Sequence, residues 1–296
     1  MLKDRFANII RAVRPRRLGH NTVPSVEHFE HPELAPLLRE IWQPVQAHGY
    51  GWTRAYPERK QWEVAMAVRA LRDHGVLRPD AEVLGVGAGV EPTLFYLTEH
   101  VRRVFATDLY LEAGDWDRSA KAGMLAEPKQ FWPGALDLQR LVVQHMDALD
   151  LRYPDNSFDG VFSSSSIEHF GDLEDVSRAM DEIYRVLRPG GVVSISTELR
   201  LEGPPPGLPG ILMFDAQQLA EHVIGDRDWG LVGGDLDLRA SRETRKVRVS
   251  FAQAVQEVLG GAEHWSVYPH LVLEEGPLCW TSVHLALRKH ARNSDT

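Results

Sequence analysis

Apolar positions recur at two different periods along this chain, and the alternation between the two sets the expected fold. Gln61–His74 carries its apolar residues at helical spacing and is stopped by Gly75, whereas Ala81–Val86 is a short continuous apolar run of the kind that forms a buried strand. Glu91–His100 reads as a helix with Pro92 in its first turn, where a missing N–H costs nothing. Arg103–Ala106, Leu141–His145 and Phe158–Ser163 read as further strands, and Leu173–Leu187 as a helix. Pro189-Gly190-Gly191 then turns the chain into a fifth strand, Val192–Thr197. Strands alternating with helices predict a doubly wound α/β fold, mostly parallel, with helices on both faces. Leu271–Leu273 and Trp280–Leu287 are close enough to pair antiparallel, which adds a hairpin at the edge.

The pattern is less regular before residue 61. Leu2, Phe6, Ile9, Ile10 and Val13 fall at helical intervals among basic residues, which suits a solvated terminal helix or weak association of residues 1–17 with a membrane surface. Pro32–Gln46 is the one convincing helix of the Pro-, His- and aromatic-rich stretch that follows. The expected organisation is a helical extension or lid over residues 1–60 and a main domain over 61–296. Insertions at 110–140 and 200–213 interrupt that domain. The second of these follows the fifth strand, at the carboxyl end of the sheet, where open α/β folds bind ligands and where long loops are commonly functional.

Composition adds limits. The 296 residues carry 33 Lys+Arg against 42 Asp+Glu, a formal charge of -9; residues 1–17 hold +5 of it, which leaves -14 on the remaining 279. An acidic body argues against sequence-independent nucleic-acid binding, which needs a basic face. One cysteine, Cys279, excludes an intramolecular disulfide, and no apolar run approaches the roughly 18–20 residues of a membrane span. A cytoplasmic protein is expected.

The most informative stretch is Val83-Leu84-Gly85-Val86-Gly87-Ala88-Gly89-Val90-Glu91, a glycine-rich turn between a first strand and a helix. Such a turn brings the backbone close to a ligand and offers it the free N–H groups of a helix start. The dinucleotide pattern fails at Val90, and no Gly-Lys-Ser/Thr follows, so a P-loop is excluded. Asp108 closes the second strand, 19 residues after Gly89, where a carboxylate can accept from both hydroxyls of a ribose. Asp147-Ala148 follows the third strand, where an acid can accept from an adenine amine, and Ser163–Ser166 close the fourth beside the same crevice.

Val83–Glu91, Thr107-Asp108, His145-Met146-Asp147-Ala148, Phe158-Asp159-Gly160-Val161 and Arg188-Pro189-Gly190-Gly191 occur in the order of the motifs of class I S-adenosylmethionine-dependent methyltransferases, and residues 61–198 resemble that family. The resemblance implies a seven-stranded, Rossmann-like methyltransferase sheet with S-adenosyl-L-methionine as cofactor. Gly85, Gly87, Ala88 and Gly89 would hold its methionine end, Asp108 with Leu109 its ribose, and Asp147 with Ala148 its adenine. Ser163 and Ser164 would line the crevice. Two positions depart from the pattern: Gly85 stands where family members carry an acid, and Glu91 where they carry a third glycine. Glu91 then either faces the cofactor ammonium or caps the helix that begins at Pro92.

Ser166-Ile167-Glu168-His169-Phe170 lies just past the fourth strand, beside the expected methyl group. An oxygen acceptor needs its proton removed, which makes His169 the first candidate base, Glu168 the second and His145 a third. A competing role for Glu168 and His169 is to bind Mg2+ together with His222, His264 or His270, although the first carboxylate of the related Glu-x-x-Glu-His pattern is Ser165 here. Asp108-Leu109-Tyr110 through Trp116, with Ser163–Gly171 and Trp280-Thr281-Ser282-Val283, is more loosely similar to methyltransferases found with bacterial glycan and glycolipid biosynthesis, which suggests a sugar hydroxyl on a small molecule or oligosaccharide. Trp42, Tyr50, Trp52, Tyr56, Trp116 and Trp132 are candidates for a platform under sugar rings. The alternatives are a secondary-metabolite phenol or amine as acceptor, or a cofactor-binding subunit without catalysis.

Overall fold

The computed structural model describes residues 17–44, 57–112, 120–259 and 270–291. The expected helix at Leu2–Val13, with the basic residues around it, therefore lies outside the described residues, as do Tyr50, Trp52, Tyr56, Trp116 and His264.

Among the described residues the chain forms eleven strands and seven α-helices. Helix α1 spans Ala35–Trp42. Helix α2 (Arg59–Asp73) begins where the Glu58 carboxylate accepts the N–H groups of Lys60 and Gln61 at 3.1 and 3.0 Å, two residues before the apolar pattern became regular. It ends before Gly75, whose φ of 81° lets the chain turn away. Strands β1 (Glu82–Val86), β2 (Arg103–Asp108), β3 (Leu141–His145) and β4 (Phe158–Ser164) follow the apolar runs, with α3 (Pro92–Leu97) after β1. The 110–140 insertion holds α4 (Gly123–Ala126) and a 3-10 turn at Pro128–Phe131. Helix α5 (Leu173–Val186) is capped by Asp172, which accepts from Glu174 and Asp175 at 2.9 and 3.0 Å, and it buries Val176, Ala179, Met180 and Ile183 at helical spacing. Strand β5 is longer than expected, Leu187–Glu202, because it pairs with β4 on both sides of the Pro189-Gly190-Gly191 turn.

The 200–213 insertion closes into a small hairpin of β6 (Gly207–Leu208) and β7 (Ile211–Leu212). Beyond it come α6 (Ala216–Gln218), a π-helical stretch Leu219–Ile224, β8 (Trp229–Leu231), β9 (Arg248–Ser250) and α7 (Phe251–Leu259). The edge hairpin is β10 (Val272–Glu275) and β11 (Leu278–Lys289).

The main sheet runs β3-β2-β1-β4-β5-β11-β10-β9, with β8 also paired to β11. Strands β1 to β5 are parallel, whereas β11 runs antiparallel to β5 and β10. This is the expected doubly wound sheet with its antiparallel edge. It has nine strands because β8 and β9, of three residues each, are too short to show a period. Chain order reverses between β1 and β4, so the carboxyl ends of those two strands open a crevice.

One face of the sheet is covered by α2 and α3 and by the described N-terminal residues. Phe29, Leu34, Leu38 and Trp42 share a single apolar cluster with Trp62, Leu71 and Phe95. The other face packs α5 against Phe158, Val161 and Val193. Asp159, in the Phe158-Asp159-Gly160 motif, is structural: it accepts from the Glu82 N–H at 2.9 Å and from Arg78 and Arg188 at 2.5 Å each. Burial alone would raise its carboxyl, but these bonds prevail and hold it below the ordinary value.

Candidate active site

The crevice contains a cavity of about 430 Å3, within the size range of small-molecule sites. Its floor is the glycine turn, held in shape by four ties. Thr107 donates its hydroxyl to the Gly85 carbonyl at 2.9 Å, the Ala88 N–H donates to the Thr107 carbonyl at 3.0 Å, Tyr110 donates to the Gly89 carbonyl at 2.8 Å, and Ser166 donates to the Gly87 carbonyl at 2.6 Å. Gly87 has φ 60°, and a Cβ there would sit 2.6 Å from the Ser166 Cβ, so no other residue fits this turn.

Asp108 sits at the mouth of the turn. Its Oδ2 accepts the Gly89 N–H at 2.8 Å and its Oδ1 the Leu109 N–H at 2.7 Å, so one carboxylate fixes both the turn and the end of β2. Burial raises its carboxyl above the ordinary value, against the pull of those two bonds. Each oxygen keeps a second lone pair for a ligand hydroxyl. Asp147, through Oδ1, accepts the Leu149 N–H at 2.9 Å and faces the same cavity beside Met146 and Ala148. Glu91 occupies the residue before α3 without capping its backbone; it accepts the Thr93 hydroxyl at 2.6 Å and lines the cavity. Burial pushes its carboxyl up to about 7.

Gly87, Ala88, Gly89, Glu91, Asp108, Leu109, Asp147, Ala148, Ser164 and His169 thus converge on one wall. Four expected residues do not reach it, Glu168 among them. Gly85 lies within β1, where a Cβ would meet the Phe162 ring at 2.7 Å, and Ser163 is fully buried in β4. His145 uses its Nδ1 to accept the Leu111 N–H at 3.3 Å, which ties it to the chain after β2 and takes it away from the reacting end.

The catalytic candidates separate as well. Glu168 is buried behind the wall: its Oε2 accepts from Thr197 at 2.8 Å and its Oε1 has no hydrogen-bond partner. Burial and the neighbouring Glu198 raise its carboxyl well above the ordinary value, which favours the protonated form. His169 lies in the wall, with Nδ1 2.8 Å from the Gly210 carbonyl in the β6–β7 hairpin. Burial holds its pKa below the ordinary value despite that bond, so the ring is neutral at pH 7. A carbonyl can only accept; the proton is therefore on Nδ1 and the lone pair on Nε2.

The same geometry lends no support to the alternative of Mg2+ at Glu168 and His169, and His264, one of the three partner histidines considered, lies outside the described residues. The Glu168 Oε1 and His169 Nε2 are 3.9 Å apart, and His169 Nδ1 is committed to Gly210. His222 bonds Ser177 at 2.9 Å on α5, and His270 stands 3.7 Å from Glu58. Among the described residues no three His, Cys, Asp or Glu side chains are grouped so as to hold a metal ion. Of the six aromatic platform candidates only Trp42 and Trp132 are described. Trp132 stacks on Phe95 at 5.6 Å, edge-on to Trp42 at 6.4 Å, and both tryptophans are core residues; only Trp42 touches the cavity.

Helix α2 supplies further cavity residues that the apolar pattern does not single out. Lys60 and Glu63 line the cavity, with Arg59 buried behind them. A signal was present: Arg59 and Glu63 stand four apart in a helix whose other positions include Trp62, Val64, Met66, Val68 and Leu71. Charges on an apolar face require partners, and the partners come from β5 and the β4–α5 turn.

Residues 84–195 match the methyltransferase domain family. Over 174 residues the chain is 30% identical to a 27-O-demethylrifamycin SV methyltransferase of Amycolatopsis mediterranei, a match covering 58% of this chain and 57% of that protein. Over 162 residues it is 41% identical to a demethylmenaquinone methyltransferase of Symbiobacterium thermophilum, covering 54% and 58%. A sterol 24-C-methyltransferase of Gibberella zeae is 28% identical over 185 residues, 60% of this chain and 45% of that one, so the chain spans about half the length of the curated relatives it matches. Among solved structures, the [4+2]-cyclase SpnF superimposes with a TM-score of 0.50 at 20% identity over 91% of this chain and 98% of that one, a likeness of fold. Motif order, sheet order and the family match agree: residues 84–195 match a methyltransferase domain and lie in a sheet of Rossmann-like methyltransferase order.

Proposed function

We propose that the protein is an S-adenosylmethionine-dependent O-methyltransferase of a small hydroxylated molecule, a sugar hydroxyl being the acceptor that the sequence suggests. When bound, the cofactor supplies a methyl group activated on a sulfonium. Asp108 accepts from the ribose hydroxyls, Asp147 from the adenine amine, and Glu91 faces the ammonium group. His169 takes the acceptor proton on Nε2, with the Gly210 carbonyl holding the tautomer. The acceptor oxygen forms the new O–CH3 bond as the S–CH3 pair stays on sulfur. Alignment of the two reactants is the main contribution of such a site, worth up to about 7–11 kcal/mol in favourable cases.

The observation that carries this reading is the neutral His169 in the lining of the cavity that the glycine turn and Asp108 also line. A phenolic acceptor is the second reading, favoured by the burial in the core of Trp42 and Trp132, the two described members of the expected sugar platform. Calorimetry with S-adenosylhomocysteine, then transfer of labelled methyl across a panel of saccharides and phenols, tests both. Binding at micromolar ligand and transfer to one panel class are expected. Binding without transfer to any member would favour a non-catalytic subunit, and absence of binding would overturn the reading.

A further inference from the structure

A cluster of charges packs between α2, β5 and the turn after β4. Arg59 Nη1 lies 2.5 Å from Glu198 Oε2 and 3.7 Å from Glu63 Oε1, while Lys60 Nζ lies 3.3 Å from Glu63 Oε2 and 4.0 Å from Glu198 Oε1. Two cations thus balance two carboxylates, and the adjacent Glu168 is held toward its neutral form. The members differ in exposure. Side chains of Arg59, Glu63 and Glu198 are 6%, 2% and 6% exposed, but that of Lys60 is 39% exposed and lines the cavity. The network presents its cation to the ligand and keeps its anions inside.

Lys60 is also incompletely used. Its ammonium has three N–H donors; one goes to Glu63 and one to the Ser165 hydroxyl. Ser165 in turn donates to Glu63 at 2.9 Å. Ser165 has φ 48°, a left-handed conformation that a side chain adopts only at a cost and that is concentrated at functional sites. That conformation places the hydroxyl between Lys60 and Glu63, fixing the ammonium at the cavity wall with one donor to spare.

We infer that Lys60 binds the acceptor oxygen, and that the acceptor is an acidic hydroxyl, a phenol or enol, held as its oxyanion. The inference rests on the methyl-transfer reading and narrows its acceptor. An opposite charge within about 4–6 Å lowers an acid by about 1–3 pH units, and a phenol ionises near 10, so contact with Lys60 brings it close to neutral pH. A sugar hydroxyl is too weak an acid for that contact alone to ionise it. The proton lost on binding goes to His169 Nε2 or to water. The oxygen lone pair then forms the O–CH3 bond, and the S–CH3 pair remains on sulfur as S-adenosylhomocysteine. Ser165 and Glu63 are positioning residues for the ammonium.

The test uses 4-nitrophenol, whose anion is coloured, titrated into the full chain with S-adenosylhomocysteine present. Wild type is expected to lower the ionisation midpoint of the bound probe by at least one pH unit. Lys60→Met should lose at least tenfold in bound phenolate with unchanged S-adenosylhomocysteine affinity, and Lys60→Arg should restore most of it. A purely structural role for Lys60 would lower thermal stability and homocysteine-ligand affinity together and leave the probe midpoint where it was, which overturns the inference. So does the absence of any phenolate enrichment in wild type that binds S-adenosylhomocysteine. Failure to bind S-adenosylhomocysteine would instead remove the methyl-transfer reading itself.

Discussion

The end of the cavity proposed for the cofactor and the end proposed for the acceptor are built in opposite ways. At the cofactor end, Gly89 is tied to Asp108 only 19 positions away, and Asp147 bonds its neighbour Leu149; each group sits on the turn that closes its own strand. At the acceptor end, Ser165 meets Glu63 across 102 positions, Arg59 meets Glu198 across 139, and Ser282 meets Glu63 across 219. The first end follows from local turn geometry repeated along a parallel sheet. The second exists only once α2, β5, β11 and the β6–β7 hairpin have packed. A short motif can therefore specify the cofactor site, while acceptor chemistry depends on contacts that no local pattern encodes.

Two substitutions separate the ends most sharply. His169→Ala should lower turnover by about 10^2–10^4, the usual scale of general-base catalysis, with S-adenosylhomocysteine affinity unchanged. Labelled-methyl transfer beside calorimetry reads both quantities. A rate within threefold of wild type would remove His169 from the chemistry. Asp108→Ala should act at the other end: it deletes a carboxylate that accepts from Gly89 and Leu109 and is offered to the ribose. Hydrogen bonds to charged groups are worth about 1.5–3 kcal/mol, so cofactor Kd should rise at least ten- to a hundredfold. Unchanged affinity would separate Asp108 from the ribose.

How much the sequence revealed follows the same division. Strands β1 to β4, helix α5, the edge hairpin and the glycine turn were legible because each buries a local apolar pattern or a glycine with a defined conformational task. Strands β8 and β9 were not, at three residues apiece. His169 was found through its place just after β4, but its tautomer was not, because the carbonyl that fixes it belongs to Gly210, 41 positions on. The direction of His145 was open in the sequence because alternation along a strand cannot say whether a ring turns into the crevice or toward the loop of its neighbour, where its Nδ1 accepts the Leu111 N–H. Lys60 and Glu63 were hidden inside an amphipathic helix, where charges are ordinarily solvent-facing.

Glu91 lies where the two ends meet, and it gives the smallest and most discriminating effect. Its carboxyl is pushed up to about 7 by burial, above the ordinary value of 4.5, so at neutral pH it is partly protonated in the ligand-free protein. A ligand ammonium beside it stabilises the carboxylate and draws its pKa down, so binding releases a proton near pH 7. Affinity for S-adenosylhomocysteine should then be full above pH 8 and fall as pH drops through 7, by close to tenfold at pH 6, since one pH unit of linkage is about 1.4 kcal/mol. Glu91→Gln cannot ionise and should bind with weaker affinity and a flat profile over the same range. Calorimetry in two buffers of different ionisation enthalpy also counts the proton released. A pH-independent Kd in wild type would place the ammonium elsewhere.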